Sequence, residues 1–363
     1  MYRRDAADAV HAHLATLPAD LSGLGRPFSR SEALDCGITD HALRTLTEAG
    51  ALRRPLHGVY VPHHHLDTME SRLAALALVA PPSAVVVDET ASWVYIGDAA
   101  LAPGEHLRPR DLRVFDRRSH HHSPRKGLRT GARALLDHDV VEVGSLQVTT
   151  PLRTACDVAR LTDPLHALAI LDRFEKEGLA SGPSVAAGLT RFRGFRGVRM
   201  ARVLATWVDG RSDSFGESGL RFRWRETPGL PVPIPQLPVE RPDGGLWFLD
   251  LGLDELPFGA EYDGIAFHGP EHREHDLWRR GVMRDSLGLR IEVFDSTGVL
   301  GRKADAGSRI AAAIRELRER RPTVIDLHRR QGGLAPSGLT GVDGPPVVRL
   351  GGGAAAQPTP RGG

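Results

Sequence analysis

Asp250, Glu261 and Asp263 are the residues of this sequence whose types and spacing best suit metal-assisted chemistry on a phosphodiester. Asp250 closes an apolar run, WFLDLGL, that reads as a strand, and Glu261 and Asp263 alternate along the next, PFGAEYDG, so their side chains share a face. Pairing the two strands would gather three carboxylates, with Glu217 on the preceding helix as a fourth. Carboxylates held together raise one another's pKa unless a cation neutralises them, and hard oxygen ligands suit Mg²⁺ or Mn²⁺. Such an ion would hold a phosphodiester and activate a water on it.

The elements that must position these groups follow one another from about Asp213 to Arg320. A helix (DSFGESGLRFRWRET), strands PIPQLPVE, WFLDLGL and PFGAEYDG, a polar helix (PEHREHDLWRRGVMRDSLG), a strand (LRIEVF) and an amphipathic helix (RIAAAIRELRER) give the order α-β-β-β-α-β-α. Trp224 and Trp247 are expected in its core.

A second set of residues could read nucleic acid. Ser29 with Glu32 forms a capping box that opens a short helix, and Gly37 supplies its closing turn. Thr39 caps a second helix, DHALRTLTEAG, with Leu43 and Leu46 on one face and Gly50 as its stop. ALRRPL and GVYV then form a hairpin through Pro55 to Gly58. Helix, turn, helix, hairpin is the order of a winged helix, as against a helical hairpin packed on the next domain. On that reading His41, Arg44 and Thr45 face the DNA groove, and Arg53, Arg54 and His57 contact phosphate from the wing.

Between these two sets, residues 67–210 read as a mixed middle domain and helical linker. Glu70 to Ala80 is helical, AVVVDE a buried strand, ASWVYIG an apolar segment, DLRVFD a strand, VVEVGSLQVTT a hairpin, and Pro151 to Leu179 two helices. FRGFRGVRMARV interleaves arginine with aromatic and glycine residues, as a nucleic-acid backbone contact or a basic linker helix would. His63–His65 and His120–His122 point alternately along an extended chain and read as solvated loops rather than metal sites.

Composition narrows the function classes. The 363 residues exceed one ordinary core, and no apolar run approaches the roughly 20 residues that span a bilayer. The first residues are basic but lack an apolar stretch after them, so a cytoplasmic protein is expected. Cys36 and Cys156 lack a CxxC partner and read as buried thiols. The net charge of +2 conceals three blocks. Arg108 to Arg133 holds nine basic residues against two acidic, a net +7, and Thr190 to Arg225 nine against three, a net +6. Asp250 to Asp276 holds eight acidic residues against one basic, a net −7. Only Lys126, Lys176 and Lys303 are lysine, a bias that a GC-rich genome produces unaided, so arginine excess alone is weak evidence for nucleic acid.

The carboxylate segment resembles a known family. Glu217, Pro235-Gln236, Phe248 to Leu251, Glu261-Tyr262-Asp263-Gly264, His268 and Arg279 to Gly288 are similar to the very-short-patch-repair-endonuclease-like domains called DUF-559, in the PD-(D/E)XK nuclease superfamily. The resemblance implies a central mixed sheet flanked by helices, Asp250 and Glu261 as ligands of Mg²⁺ or Mn²⁺, and Glu217 as an accessory carboxylate. Where the superfamily places lysine, two residues after the second carboxylate, this chain has Asp263, so His268 or Arg284 must substitute or the fold does not cut. The segment FSRSEALDCGITDHALRTLTEAGALRRPLHGVYVP resembles the winged-helix domain of AbiEi-type antitoxins, transcriptional autorepressors of type IV toxin–antitoxin systems. That likeness implies DNA and a toxin protein as partners.

The expectation is thus a multidomain α/β protein: a winged helix with an N-terminal helix over 1–66, the middle domain over 67–210, a restriction-endonuclease-like domain over 211–322 and a mostly disordered tail over 323–363. Two functions stand beside each other: metal-dependent cleavage of DNA with Asp250, Glu261, Asp263, Glu217 and His268 at its centre, or transcriptional regulation by a chain whose nuclease-like domain is silent.

Overall fold

The computed structural model of the chain describes residues 26–81, 84–115, 127–264 and 270–320. The expected N-terminal helix before residue 26, the run His120–His122, His268 and the tail 323–363 lie outside the described residues. Contacts divide the chain between Gly210 and Arg211 into two compact units.

The first unit opens with a small sheet and a pair of helices. The Ser29 hydroxyl accepts from the Glu32 N–H at 3.1 Å while the Glu32 carboxylate accepts from the Ser29 N–H at 2.7 Å, completing the expected capping box at the head of α1 (Arg30–Asp35). Thr39 caps α2 (Asp40–Glu48) through the Ala42 N–H. Leu43 and Leu46 of α2 are buried with Phe28, Ala33, Ile38 and Tyr60, each leucine worth about 2 kcal/mol of burial. Strands β1 (Phe28–Ser29), β2 (Leu52–Leu56) and β3 (Val59–Pro62) form an antiparallel sheet in the order β1-β3-β2, and Gly58 turns β2 into β3 at φ 79°. Cys36, expected to be buried, is exposed because it falls at the C-terminal cap of α1.

The same unit continues into a second core that β2 and β3 help to build. Leu56 and Val59 are buried with residues of α3 (Met69–Ala77), of the short strand β4 (Val85–Val86) and of α4 (Asp88–Ile96). The apolar segment ASWVYIG is therefore helix, buried on nearly all sides. A five-stranded mixed sheet, β6-β5-β4-β8-β7, joins β4 to β5 (Leu112–Phe115), β6 (Leu128–Arg129) and the expected hairpin of β7 (Val140–Val143) and β8 (Leu146–Thr149). Behind it lie α5 (Pro151–Leu161) and α6 (Pro164–Lys176), started by Thr150 and Asp163 caps with proline in the first turn, then α7 (Gly182–Gly188) and α8 (Val198–Ala205).

The second unit is one mixed sheet between two layers of helix. Strands β9 (Ile234–Glu240), β10 (Leu246–Gly252), β11 (Phe258–Tyr262) and β12 (Arg290–Phe294) lie in the order β12-β11-β10-β9, with β11 and β12 parallel and the rest antiparallel. One face packs on α9 (Phe215–Glu226) and α12 (Ala306–Arg320) through Trp224, Leu251, Phe258 and Ile310; the other packs on α10 (Pro270–Leu287) through Trp247, Leu249 and Met283. Both tryptophans are in the core as expected. A four-residue helix, α11 (Ser296–Val299), capped by Asp295, is an element the sequence pattern did not announce. Among the described residues no helix is long and apolar enough to cross a membrane.

Candidate functional site

Glu217 sits in the first turn of α9 because Ser214 caps that helix: the Ser214 hydroxyl accepts from the Glu217 N–H at 3.2 Å and donates back to its carboxylate at 2.9 Å. Gly216, the residue before it, lets the helix approach the sheet, since a Cβ there would stand 2.0 Å from the Tyr262 ring. Glu217 also accepts from the Asp213 N–H at 2.9 Å and from Gln236 Nε2 at 2.9 Å. Gln236 reaches it from the middle of β9 at φ 50°, a left-handed conformation that costs a non-glycine residue on the order of 1 kcal/mol and that clusters at functional sites.

Asp250 lies opposite Gln236 on β10, where side-chain alternation breaks. Trp247 and Leu249 pack with Met283, whereas Leu251 and Leu253 pack with Trp224. Its Oδ2 accepts from the Tyr262 N–H at 2.7 Å. Burial first, and the Glu217 charge second, push the Asp250 carboxyl up to about 8. Burial likewise raises Glu217 against the hydrogen bonds that hold it down.

Glu261 is in a different situation. Phe258 and Ala260 face α9, so Glu261, out of phase with them, meets α10, where Arg279 Nη2 and Arg280 Nε each donate to one of its oxygens at 2.6 Å. Its side chain is 2% exposed. Asp263 follows β11, is 42% exposed and lies 3.8 Å from Arg280. Arg284 pairs with Asp285 on the same helix and touches none of these carboxylates.

The structure thus pairs Glu217 with Asp250 and hands Glu261 to two arginines. Among the described residues no three His, Cys, Asp or Glu side chains converge on one ion position. Mg²⁺ is commonly held by one or two carboxylates and several waters. The donor chemistry of Asp250 and Glu217, half-buried and buried and mutually repelling, fits such an ion; Glu261, with both oxygens on guanidinium groups, does not fit as it stands. Gln236, Arg279 and Arg280 are the residues at these carboxylates to which sequence spacing assigned no role. The signal for the arginines was present: Asp276, Arg279, Arg280 and Met283 recur at helical spacing, so a helix burying Met283 turns both arginines toward the sheet.

At the N-terminal segment, α2 keeps His41 and Arg44 exposed and Thr45 half-buried, opposite Leu43 and Leu46. The Thr45 hydroxyl donates to the His41 carbonyl at 3.1 Å. Arg53 donates to the His65 carbonyl at 2.8 Å, and Arg54 stands 5.6 Å from the Tyr60 ring centre. His57 lies 3.8 Å from Asp111 and against Gly127. The β2–β3 turn is therefore docked on the rest of its unit. The loop His63–His65 gathers no metal-binding group among the described residues.

The arginine–aromatic segment divides by depth. Phe192 is buried, with Arg160 4.1 Å, Arg191 5.1 Å and Arg153 5.2 Å from its ring centre, while Arg193, Arg196, Arg199 and Arg202 are exposed. The inner arginines belong to an ion-pair network. Asp157 accepts from Arg153 Nε at 2.7 Å, Arg160 Nη2 at 2.7 Å and Arg133 Nη1 at 3.2 Å; Arg133 also pairs with Asp88; and Asp139 accepts from Arg153 at 2.7 Å and Arg191 at 2.6 Å. Burial works against the charge of Asp139, but the arginines and the Leu136 N–H hold its carboxyl at about 2.

Comparison with known proteins adds two findings. Residues 20–63 match the family model of the AbiEi antitoxin transcriptional regulators. The uncharacterized proteins Rv2248 and MT2308 of Mycobacterium tuberculosis, from strains H37Rv and CDC 1551, are each 30% identical over 259 residues, covering 70% of this chain and 89% of theirs. The chain, headed by a segment that matches AbiEi regulators, belongs to the family of these mycobacterial proteins.

Proposed function

We propose that the chain is a DNA-binding transcriptional regulator of the antitoxin kind, in which residues 26–63 act as a winged helix in the cytoplasm. The observation that carries this reading is that the regulator match falls on the segment whose doubly capped helix pair turns His41 and Arg44 outward from α2. A helix so exposed can enter a major groove, where an arginine reads guanine and a threonine or histidine reads neighbouring edges. Arg54, beside the β2–β3 turn, then supplies phosphate contact, while Arg53 and His57 hold the turn against its own unit. The same match supports a toxin protein as a second partner.

The test is binding of the purified chain to its own promoter DNA across a salt series. Arg44→Ala should weaken binding by about 1–3 kcal/mol, roughly fivefold or more, and adding Arg54→Ala should lower the salt slope by about 1. Unchanged affinity and slope would remove the assignment.

A second reading is favoured by the mutually repelling pair of Asp250 and Glu217, neither in an ion pair among the described residues: a nuclease-like second unit of the PD-(D/E)XK kind that cleaves phosphodiesters with Mg²⁺ or Mn²⁺. Asp250 and Glu217 would hold the ion, which supplies charge neutralisation and polarises a phosphate oxygen. Glu261 joins them only if Arg279 and Arg280 release it, and those arginines are then free to clamp phosphate. Incubation of supercoiled plasmid with either metal decides the matter. Cleavage lost in both Asp250→Ala and Glu261→Ala supports this reading, and no cleavage beside tight promoter binding leaves regulation alone.

A further inference from the structure

A cavity of about 420 Å³ opens in the first unit between α4, the head of α6 and the segment Arg108–Arg113, a size in the range of small-molecule sites. Its walls are apolar where Leu101, Pro109, Ile170 and Leu56 of β2 meet it. Most of its charges are already matched. Arg113 pairs with Glu89 at 2.7 Å, and His166 lies 3.3 Å from Glu105 and 3.7 Å from Asp163. Asp111 is taken by Arg129 at 2.9 Å.

Two cations remain. The Arg110 guanidinium lies 4.4 Å from the Trp93 ring centre, is 22% exposed, and has its closest carboxylate oxygen, on Asp98, at 3.9 Å, where that atom already accepts from Trp93 Nε1 at 3.2 Å. Burial lowers its pKa only to about 10, so it is a cation at neutral pH. Arg108, exposed at the mouth, has no ion pair among the described residues. A partly desolvated guanidinium over an indole, lining a cavity with apolar walls, is a seat for a carboxylate or phosphate on a carbon body.

The wing turn is wired to this seat. The Arg110 N–H donates to the Pro55 carbonyl at 3.3 Å, and Leu56 and Arg110 form a parallel β-bridge between their two segments. We propose that this cavity binds a small organic anion through Arg110, with Arg108 at its mouth, and that occupancy is relayed through the Arg110–Pro55 contact to the β2–β3 turn. If residues 26–63 are the DNA-binding module, DNA affinity becomes ligand-dependent; that consequence rests on the regulator reading, whereas binding and relay do not.

The test titrates the full chain with benzoate as the carboxylate probe, adenosine 5′-monophosphate as the phosphate probe and inorganic phosphate as the bare head group, each to about 10 mM, the weak end of measurable affinity. Binding of benzoate or the nucleotide is expected, weakened at least tenfold in Arg110→Gln and partly in Arg108→Gln, which lies at the surface and keeps the test open if the first variant misfolds. Hydrogen exchange should slow in residues 52–62 as well as 108–113. Binding of neither organic probe, or equal binding in both variants, overturns the site. Binding that leaves exchange at residues 52–62 unchanged overturns the relay.

Discussion

In the first unit Asp88, Asp139 and Asp157 are buried among Arg133, Arg153, Arg160 and Arg191, so each carboxylate meets at least one guanidinium. In the second, Glu217 is buried and Asp250 half-buried with no arginine at ion-pair distance among the described residues, and only Glu261 is matched, by Arg279 and Arg280. Carboxylates drawn out of water thus end in opposite electrostatic states. A buried carboxylate that is paired is part of the scaffold. One that repels its neighbour stores unfavourable energy that a proton or a cation can relieve, and sites of that kind are where chemistry or binding is found.

The contrast can be broken most sharply at Asp157. Asp157→Ala strips a shared partner from three arginines at once and should destabilise the first unit by about 3–5 kcal/mol, read by chemical denaturation of the full chain. A loss below about 1 kcal/mol would mean that the network is not structural.

Asp250→Asn should act in the opposite sense, stabilising the second unit by about 1–3 kcal/mol at pH 8. The sign follows from proton binding. With its folded pKa raised to about 8 from the ordinary carboxylate range, Asp250 binds more protons folded than unfolded, so stability falls as pH rises from about 4 to about 8. Asp139, held at about 2, does the reverse: its contribution is present above pH 4 and is lost as pH falls toward 2. Calorimetry of wild type and Asp250→Asn between these limits should show the falling limb flattened in the variant alone.

Mg²⁺ or Mn²⁺ sharpens the same point. If the Glu217–Asp250 pair takes a divalent ion, metal at ten times its Kd should stabilise the second unit by about 1.4 kcal/mol, and Asp250→Asn should abolish the gain. An equal gain in the variant would place the ion elsewhere. The smallest effect is expected at Arg191→Gln, whose side chain is a third exposed; losing its pair with Asp139 should cost no more than about 1 kcal/mol while raising the Asp139 pKa, followed by NMR titration.

Much of this frame is legible in the chain alone. The Ser29–Glu32 capping box, the Thr39 cap, the hairpin turn at Gly58 and, apart from the short α11, the element order of the second unit are local matters, set by neighbours a few residues apart, and the structure carries each of them. Glu217, Asp250, Glu261 and Asp263 were also visible as a group, because strand alternation and helix capping are short-range rules. What spacing could not give is which arginine meets which carboxylate. Arg133 and Asp88 are 45 residues apart, and Arg191 and Asp139 are 52 apart. The break in alternation at Asp250 needs Gln236 of the neighbouring strand, and no pattern within β10 announces it.

The sequence by itself determined most of the elements, their order and the inventory of charge: two arginine-rich blocks and one carboxylate block within a net charge of +2. Only the tertiary structure decided which of those charges are spent. It spent Arg153 and Arg160 inside the first unit and Arg279 and Arg280 on Glu261, and it left Glu217 and Asp250 facing each other and Arg110 facing an open cavity. The reason is physical: caps, turns and alternation act over one turn of helix or one pleat, whereas the energy of a charge depends on burial and on partners that only the folded chain brings within a few ångströms.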